Sequence, residues 1–270
     1  MSRVLFTGER LHEGSALFGV DLARHRAAYQ FAAARAADPA RSGAGPRICD
    51  LGCGSGYGVA ALATGPGRVV ALDRIAPDPA PRESGARFVR ADLRGIPLRA
   101  GAFDLVVSFQ VIEHLRDPAP YLGALGALLA PGGSALLTTP NRATSDGANP
   151  FHVHEYAGDE LAALLRRHFG RVELLGVGMT PPVAAYHAAR LRRIRRVLRL
   201  DPLRLRERLP RALVEWLFAR MAVRVRRGIA HGEGLPDATA ADFPIGPPAP
   251  DSLDWLAVCA EPLREAAPQR

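Results

Sequence analysis

Three glycines, each separated by one residue, follow a short apolar segment near position 50 and constrain the fold more than any other feature. Residues 47–51 read Arg-Ile-Cys-Asp-Leu, and residues 52–56 read Gly-Cys-Gly-Ser-Gly. The pattern predicts a buried β-strand that turns through the glycines into a helix starting near Tyr57. Glycine lets the backbone approach a ligand where a Cβ atom would clash, and the first N–H groups of a helix can bind a polar or anionic group.

A second predicted strand, residues 68–72, ends at Asp73, fifteen residues past Gly58. An acidic side chain at this point suits the two hydroxyl groups of a ribose. The glycine turn and Asp73 together predict a site for a cofactor that contains adenosine.

The glycine spacing bears on which cofactor binds. The dinucleotide fingerprint places glycines at relative positions one, three and six. Counted from Gly52 the sixth position is Tyr57, and counted from Gly54 it is Val59. This disfavours an oxidoreductase that uses a nucleotide cofactor such as NAD or FAD, although that class stays open as an alternative, as does a binding protein that keeps the fold without turnover.

Strand and helix patterns alternate from residue 46 onward, which predicts an α/β fold with a Rossmann-like doubly wound sheet, mostly parallel with an antiparallel last strand. The predicted helices cover residues 57–64, 117–130 and 158–169. The predicted strands cover residues 47–51, 68–72, 87–91, 103–108, 133–139, 171–177 and 253–259.

Four segments follow from this reading. Residues 1–45 form a helical N-terminal segment with a helix over 21–36, and residues 46–177 form the cofactor-binding core. Residues 178–252 form a helical, arginine-rich insertion with amphipathic helices over 183–200 and 212–227 and a loop over 228–252. Residues 253–270 supply the final strand of the core and a tail.

Charge is concentrated in the insertion. The formal net charge is +8 and every basic residue is arginine, but residues 190–227 hold 14 arginines against three acids, so the rest of the chain carries −3. The segment could be a lid with solvated arginines, a site for an anionic or lipid-linked acceptor, or a peripheral contact with an anionic membrane surface. Nucleic acid is the least favoured partner, because the segment has few aromatic residues for base stacking.

Cysteine content and terminal sequence point to the cytoplasm, with peripheral contact at the inner membrane face as an open alternative. The three cysteines form neither a disulfide framework nor a zinc-binding spacing. The N-terminus lacks an apolar run behind a basic start, and no uninterrupted apolar stretch reaches about 18 residues.

Several motifs resemble those of class I S-adenosylmethionine (SAM)-dependent methyltransferases, in particular the bacterial small-molecule group related to quinone-biosynthesis and glycan or natural-product O-methyltransferases. The resemblance spans most of the chain. It is carried by Asp-Leu-Gly-Cys-Gly-Ser-Gly at 50–56, Phe-Asp-Leu-Val-Val-Ser-Phe-Gln-Val-Ile-Glu-His-Leu at 103–115, Leu-Ala-Pro-Gly-Gly at 129–133, Leu-Thr-Thr-Pro-Asn-Arg at 137–142 and Phe-His-Val-His-Glu-Tyr at 151–156.

The resemblance implies SAM as cofactor and a role for each matching residue. The glycines shape the loop under the methionine part, and Asp50 steadies that loop or reaches the amino group. Asp73 binds the ribose, Asp92 with Leu93 meets the adenine edge, Gln110 faces the sulfonium region and Tyr29 closes over the cofactor. The implied cofactor-binding set is Tyr29, Asp50, Gly52, Cys53, Gly54, Gly56, Asp73, Arg74, Asp92, Leu93, Phe109 and Gln110.

The implied reaction is in-line methyl transfer from SAM, with an oxygen of a small molecule, sugar or lipid-linked intermediate as the expected acceptor. A hydroxyl acceptor profits from a general base with a pKa near neutrality, which histidine offers. Three histidines fall at the predicted carboxyl edge of the sheet and are the catalytic candidates: His152, which the motif favours, His154 and His114. No metal ligand set is expected from the spacing, and the oligomeric state is left open.

Overall fold

The computed structural model describes residues 16–37, 45–63, 67–79, 81, 84–147, 149–198 and 235–263, together with 213, 214, 217, 218, 220, 221, 223–225 and 227. The predicted tail and parts of the helical N-terminal segment and the insertion lie outside these residues. The described residues between 213 and 227 are helical, as the second amphipathic pattern predicted.

Among the described residues, one sheet of eight strands forms the centre of the molecule, in the order β3-β2-β1-β4-β5-β8-β6-β7. Strands β1 to β5 pair in parallel. Strand β8 lies antiparallel between β5 and β6, and β7 adds a short antiparallel edge. The predicted doubly wound sheet with an antiparallel last strand is confirmed. The strands are β1 Arg47–Leu51, β2 Arg68–Asp73, β3 Arg87–Arg90, β4 Phe103–Phe109, β5 Leu129–Pro140, β6 Phe169–Val177, β7 Ile245–Gly246 and β8 Asp254–Pro262.

Helices flank the sheet, and five of them lie entirely within the described residues, with 3-10 turns at Ala16–Phe18, Ile112–His114 and Ala240–Asp242. The helices are α1 Gly19–Ala36, α2 Val59–Leu62, α3 Ala119–Leu128, α4 Gly158–Leu165 and α5 Pro181–Leu198. None of these helices is long and apolar enough to cross a lipid bilayer.

Side chains along the strands point alternately to the two faces of the sheet, and each face has its own hydrophobic core. In β4, Leu105 and Val107 pack with α1, α2 and α5, whereas Val106 packs on the opposite face with α3 and α4. Strand β8 repeats this alternation, with Leu256 and Val258 on the first face and Ala257 on the second. Burial on both faces explains why the central strands are almost continuously apolar.

Several boundaries differ from the sequence prediction for identifiable reasons. Helix α2 has only four residues, because the sequence continues into Thr-Gly-Pro at 64–66, which cannot extend a helix. Strand β5 begins at Leu129, before the predicted start at 133, with a register irregularity in its pairing with β4. Strand β7 lies within the segment predicted as a loop. It was not predicted because two residues are too few to give an alternating pattern.

The buried face of α5 also differs from the prediction. The helical periodicity of the sequence places His187, Leu191, Ile194 and Leu198 on one face of this helix and predicts that this face is buried. In the structure Val183, Tyr186 and Ile194 are buried, because the apolar residues at the start of the helix set its orientation. This rotation brings His187 and Arg190 to the cavity described next.

The order in which the chain adds strands to the sheet reverses between β1 and β4: β2 and β3 lie on one side of β1, and β4 and β5 lie on the other. In such sheets, ligands bind outside the carboxyl ends of the strands at this reversal point. The glycine loop follows β1 and Gln110 follows β4, so both lie at this place in the fold.

Candidate active site

A cavity of about 860 Å³ opens at the carboxyl edge of the sheet, bounded by the ends of β1, β2 and β4, the loop after β5, and helices α1 and α5. Most of the residues expected to bind the cofactor contribute to its wall. These are Gly52, Cys53, Gly54, Asp73, Arg74, Asp92, Leu93, Phe109 and Gln110.

The glycine loop has positive φ angles, which residues other than glycine rarely adopt. Gly52 has a φ of +87°, and a Cβ atom added there would lie 2.6 Å from a methyl carbon of Val111. Gly54 has a φ of +58°, but an added Cβ would meet no atom within 4 Å. The first glycine is therefore required by packing, whereas the second leaves open space next to the cavity.

Asp73 joins the glycine loop to the end of β2. Its Oδ2 atom accepts a hydrogen bond from the backbone N–H of Gly54 at 2.9 Å, and Oδ1 accepts one from Ile75 at 3.0 Å. A carboxylate offers about four lone-pair sites, so Asp73 retains capacity for ribose hydroxyls while holding the loop.

Asp92 and Arg94 form the outer wall on the same side. The Asp92 carboxylate is 44% exposed and pairs with the Arg94 guanidinium at 3.0 Å. This side-chain hydrogen bond holds the pKa of Asp92 down at about 2. Leu93, between them, also lines the cavity, so the wall offers both an apolar and a charged surface.

The sequence analysis predicted that Tyr29 closes over the cofactor. In the structure it lies beneath the glycine loop instead. It is 2% exposed and does not line the cavity. Its hydroxyl donates to Asp50 Oδ2 at 3.0 Å, and its ring fills the space where a Cβ atom of Gly58 would otherwise project. Asp50 and Gly56 also lie behind the wall and not on it, so these three residues support the loop from within.

Gln110 lines the cavity directly after the end of β4. Its φ is +56°, which is uncommon for a residue other than glycine. Its backbone N–H donates to the Thr138 carbonyl at 2.9 Å, and its side-chain amide donates to Thr138 Oγ1 at 3.3 Å. Such backbone strain is concentrated at functional sites.

Comparison with known proteins identifies the family that carries this site. Residues 22–175 match the family model described as a methyltransferase domain, which is more than half of the chain. The chain belongs to the methyltransferase domain family. It is a SAM-dependent methyltransferase, and SAM is its cofactor.

Individual relatives agree with this assignment. A probable SAM-dependent methyltransferase from Mycolicibacterium smegmatis is 36% identical over 200 residues, which cover 70% of this chain and 72% of the relative. A ubiquinone biosynthesis O-methyltransferase from Cereibacter sphaeroides is 34% identical over 110 residues, covering 36% of this chain and 42% of that protein.

A solved structure shares the fold of this methyltransferase. It is a SAM-dependent methyltransferase from Thermotoga maritima described as a "possible histamine N-methyltransferase". It matches with a TM-score of 0.54 at 11% identity, over 92% of this chain and 93% of that one.

The three candidate histidines of this methyltransferase do not share one place. His114 and His152 line the cavity, with ring centroids 5.1 Å apart. His154 does not line it, because its Nε2 contacts Glu160 Oε1 at 2.6 Å outside the cavity. The two residues are two positions apart in the loop after β5, yet of the two only His152 reaches the cavity.

His152 is held by Glu155, a residue that the sequence analysis did not single out. The distance from His152 Nδ1 to Glu155 Oε1 is 2.6 Å, and Ser145 Oγ donates to the same oxygen at 2.8 Å. Burial opposes ionisation of Glu155, but these two hydrogen bonds hold its pKa below the usual value. An ionised carboxylate only accepts, so Nδ1 carries the hydrogen and Nε2 the lone pair of the neutral imidazole.

Glu113 is the second residue that the sequence analysis missed. Its side chain is fully buried, accepts a hydrogen bond from Thr139 Oγ1 at 3.1 Å, and has no hydrogen-bond partner at Oε1. Burial raises the pKa of Glu113 to about 7, and burial likewise lowers the pKa of His114 to about 4. A carboxyl group in a predicted strand–helix junction gives no sequence signal of such burial.

Glu113, His114 and His152 also form the one group among the described residues that could hold a metal ion. Their ligand atoms all lie within 4.8 Å of one another. Spacing in the sequence could not predict this group, because His152 comes from the loop after β5 and the other two follow β4. Two histidines and a carboxylate are a donor set that divalent transition metals accept.

Proposed function

We propose that this methyltransferase transfers the methyl group of SAM to a hydroxyl oxygen of a small acceptor, with His152 as the general base. The observation that carries the proposal is the position of His152 on the cavity wall, with Nδ1 held by Glu155. A base with a fixed tautomer is what a hydroxyl acceptor needs, because a neutral hydroxyl is a weak nucleophile, whereas a neutral amine attacks without first losing a proton.

The cavity wall supports one orientation of the cofactor. Asp73 receives the ribose, Asp92 and Leu93 border the adenine, and the loop at Gly52 and Gly54 borders the methionine part. Open space at Gly54 and spare lone pairs on Asp73 fit this arrangement. Gln110 would then border the methyl group that is transferred, and the acceptor would occupy the part of the cavity that His152 lines.

When bound, SAM would supply an activated methyl group for transfer to the acceptor oxygen, with S-adenosylhomocysteine as the leaving group. The chain contributes the rest. His152 Nε2 takes the hydroxyl proton, Glu155 stabilises the imidazolium that forms, and the buried wall around Glu113 excludes water from the reacting atoms.

The acceptor is a small molecule, a sugar or a lipid-linked intermediate. Support for an oxygen acceptor also comes from the ubiquinone biosynthesis O-methyltransferase among the relatives. Peripheral contact with a membrane through residues 190–227 remains part of the proposal for a lipid-linked acceptor, since that segment holds all of the net positive charge.

The test is acceptor-dependent release of S-adenosylhomocysteine, with the product located by mass spectrometry and NMR. Matched alcohol, amine and thiol versions of each scaffold should give product from the alcohol. Turnover only with the amine series would overturn oxygen transfer, while leaving the SAM-dependent activity intact.

A further inference from the structure

We propose that this methyltransferase docks on the surface of an anionic lipid bilayer through one exposed helical stripe beside its cavity. The inference rests on the proposed function and narrows it, because docking at this place favours a lipid-linked acceptor over a freely diffusing one. The stripe, referred to below as the exposed stripe, consists of Leu213, Leu217, Arg220, Arg224 and Arg227.

The exposed stripe runs along one side of the helical residues between 213 and 227. Its members follow one another at intervals of four, three, four and three positions, which places them on the same face of a helix. All five are exposed. The two leucines come first and the three arginines follow, so the stripe has an apolar end and a cationic end.

The opposite side of the same helical residues packs on the protein. Val225 is 8% exposed and belongs to the core on the sheet face that α1 and α5 cover, and Met221 packs against that core. The Phe218 ring packs edge to face on the Phe151 ring with centroids 6.4 Å apart, and both rings line the cavity. These contacts fix which side of the helical residues faces outward.

Exposed apolar side chains are concentrated beside these two rings. Leu217 directly precedes Phe218, and Val153 is two positions after Phe151. Leucine or valine residues exposed singly are common on protein surfaces, whereas their concentration in one place indicates an interaction surface. Three of the four exposed large apolar side chains among the described residues lie in these two segments, the four being Val153, Leu213, Leu217 and Leu263.

The charge of the segment complements an anionic surface. Residues 190–227 hold 14 arginines and three acids, so the segment is strongly positive whichever of these residues pair with one another. The negative potential of anionic lipids attracts arginines that lie near the bilayer surface. Besides the arginines of the exposed stripe, α5 presents three exposed arginines, Arg192, Arg195 and Arg196.

The combination of an apolar and a cationic end favours a bilayer over a nucleic acid. A bilayer interface takes up leucine side chains at the acyl boundary, while arginines contact the phosphates of the headgroups. A single-stranded nucleic acid also offers phosphates, but its bases bind by stacking on aromatic rings. The exposed stripe contains no aromatic residue, so an anionic bilayer is the partner that uses both of its ends.

Docking through the exposed stripe brings the cavity close to the lipid. Phe218 lines the cavity from the inner side of the helical residues that carry Leu217 on their outer side. His152, the proposed base, lines the same cavity. An acceptor with a lipid anchor then enters the cavity while its anchor stays in the bilayer.

The experiment measures binding of the full chain to sedimented vesicles. The probes are vesicles of phosphatidylcholine alone and of an equal mixture of phosphatidylcholine and phosphatidylglycerol. The expected result is binding to the mixed vesicles that is more than about tenfold stronger and that weakens as the salt concentration rises. Equal binding to both kinds of vesicle, or binding to neither, would overturn the inference.

Two parallel measurements separate this inference from its alternatives. Binding of a single-stranded RNA oligonucleotide by a chain that ignores the mixed vesicles would assign the arginines to nucleic acid and overturn docking on lipid. Calorimetry with S-adenosylhomocysteine tests the cofactor site on the same sample. A chain that binds this compound but no vesicles would refute docking alone and leave the proposed function standing.

The cationic end is tested by a double variant and a control of equal charge. Arg224→Gln combined with Arg227→Gln should weaken binding to the mixed vesicles by about 25-fold, since each arginine near an anionic surface contributes about fivefold. Arg166→Gln combined with Arg167→Gln removes two exposed arginines that follow α4 and should have little effect. Equal losses in the two double variants would show that net charge alone, and not the exposed stripe, determines binding.

The apolar end is tested in the same way. Leu213→Gln combined with Leu217→Gln should weaken binding to the mixed vesicles several fold, because the interface no longer buries the two side chains. Leu263→Gln is the control, since the Leu263 side chain is 54% exposed and follows β8, outside the stripe. An unchanged affinity in the double variant, or an equal loss in the control, would contradict insertion of the exposed stripe. Retained binding of S-adenosylhomocysteine checks that each variant is folded.

Discussion

The Tyr29 hydroxyl donates a hydrogen bond to Asp50 Oδ2 at 3.0 Å, with both side chains buried beneath the glycine loop. Asp50 Oδ1 has no hydrogen-bond partner. A buried carboxyl with one unsatisfied oxygen is costly to ionise. The support under the cofactor loop is therefore sensitive to the charge of Asp50.

Replacing Asp50 with asparagine should stabilise the protein above neutral pH. Burial raises the pKa of Asp50 from 3.8 to about 7, so between these values the folded chain binds a proton that the unfolded chain has lost. The stabilisation from binding this proton is fully present below pH 4. It is lost as the pH rises to 7, so the free energy of unfolding of the wild type falls over this range. Urea unfolding at pH 5 and pH 8 should show the Asp50→Asn advantage growing with pH, up to about 4 kcal/mol.

Tyr29→Phe is the companion variant for this measurement. It removes the hydrogen bond to Asp50 but leaves the carboxyl in place, so the pH dependence of unfolding should persist or increase. An Asp50→Asn variant whose stability follows the same pH curve as the wild type would show that the carboxyl is already solvated.

Gly58→Ala should destabilise the loop through a direct clash with the Tyr29 ring. Gly58 has an ordinary backbone conformation, so strain in φ is not involved, and an added Cβ overlaps the ring. Overpacking of this kind costs about 1–3 kcal/mol. Thermal unfolding should show the loss in Gly58→Ala, while Gly123→Ala in α3, where an added Cβ meets nothing within 4 Å, should show none.

The double variant Gly58→Ala with Tyr29→Ala separates this clash from other effects. Removing the ring opens the space that the new methyl group needs, so the combined loss should be smaller than the sum of the two single losses. Strict additivity would indicate that the two residues do not interact.

The fold could be predicted from sequence because its determinants are local and repeated. The central strands are apolar runs ended by turn residues, and the glycines at 52, 54 and 56 all adopt positive φ, which few other residues tolerate. Asp73 follows directly from the end of β2. These features set the sheet and the cofactor edge without any knowledge of tertiary contacts.

The acceptor end could not be predicted in the same way, because its contacts join distant segments. Arg190 belongs to a segment whose other arginines gave it the pattern of a solvated face, yet it is held by acids 169 and 44 positions earlier in the chain. Glu155 became significant only when the loop placed it against His152. Pairings of this kind follow from packing and leave no periodic signal.

His152→Asn should lower the rate of methyl transfer by about 10²–10⁴-fold with little change in affinity for S-adenosylhomocysteine. His154→Asn is the matched control, since His154 lies outside the cavity, and it should keep near wild-type activity. Steady-state kinetics with an acceptor that the wild type methylates, together with calorimetry, check both. Equal losses in the two variants would contradict the role of His152.

Treatment with a chelator distinguishes a general base from a metal-bound histidine. A His152 that donates its lone pair to a cation cannot also take the acceptor proton. Activity should survive dialysis against EDTA, measured under the same steady-state conditions. Loss of activity that zinc or magnesium restores would assign Glu113, His114 and His152 to a cation.

The most direct test of the account is calorimetric titration of S-adenosylhomocysteine into the wild type, Asp73→Asn and Asp104→Asn. Asp73 holds the glycine loop at the cavity, whereas Asp104 pairs with Arg47 at the opposite edge of the sheet. A hydrogen bond to a charged group is worth about 1.5–3 kcal/mol, so Asp73→Asn should weaken binding by about 10- to 150-fold and Asp104→Asn should not change it. Unchanged affinity in Asp73→Asn, with all three proteins folded, would contradict the placement of the cofactor in this cavity.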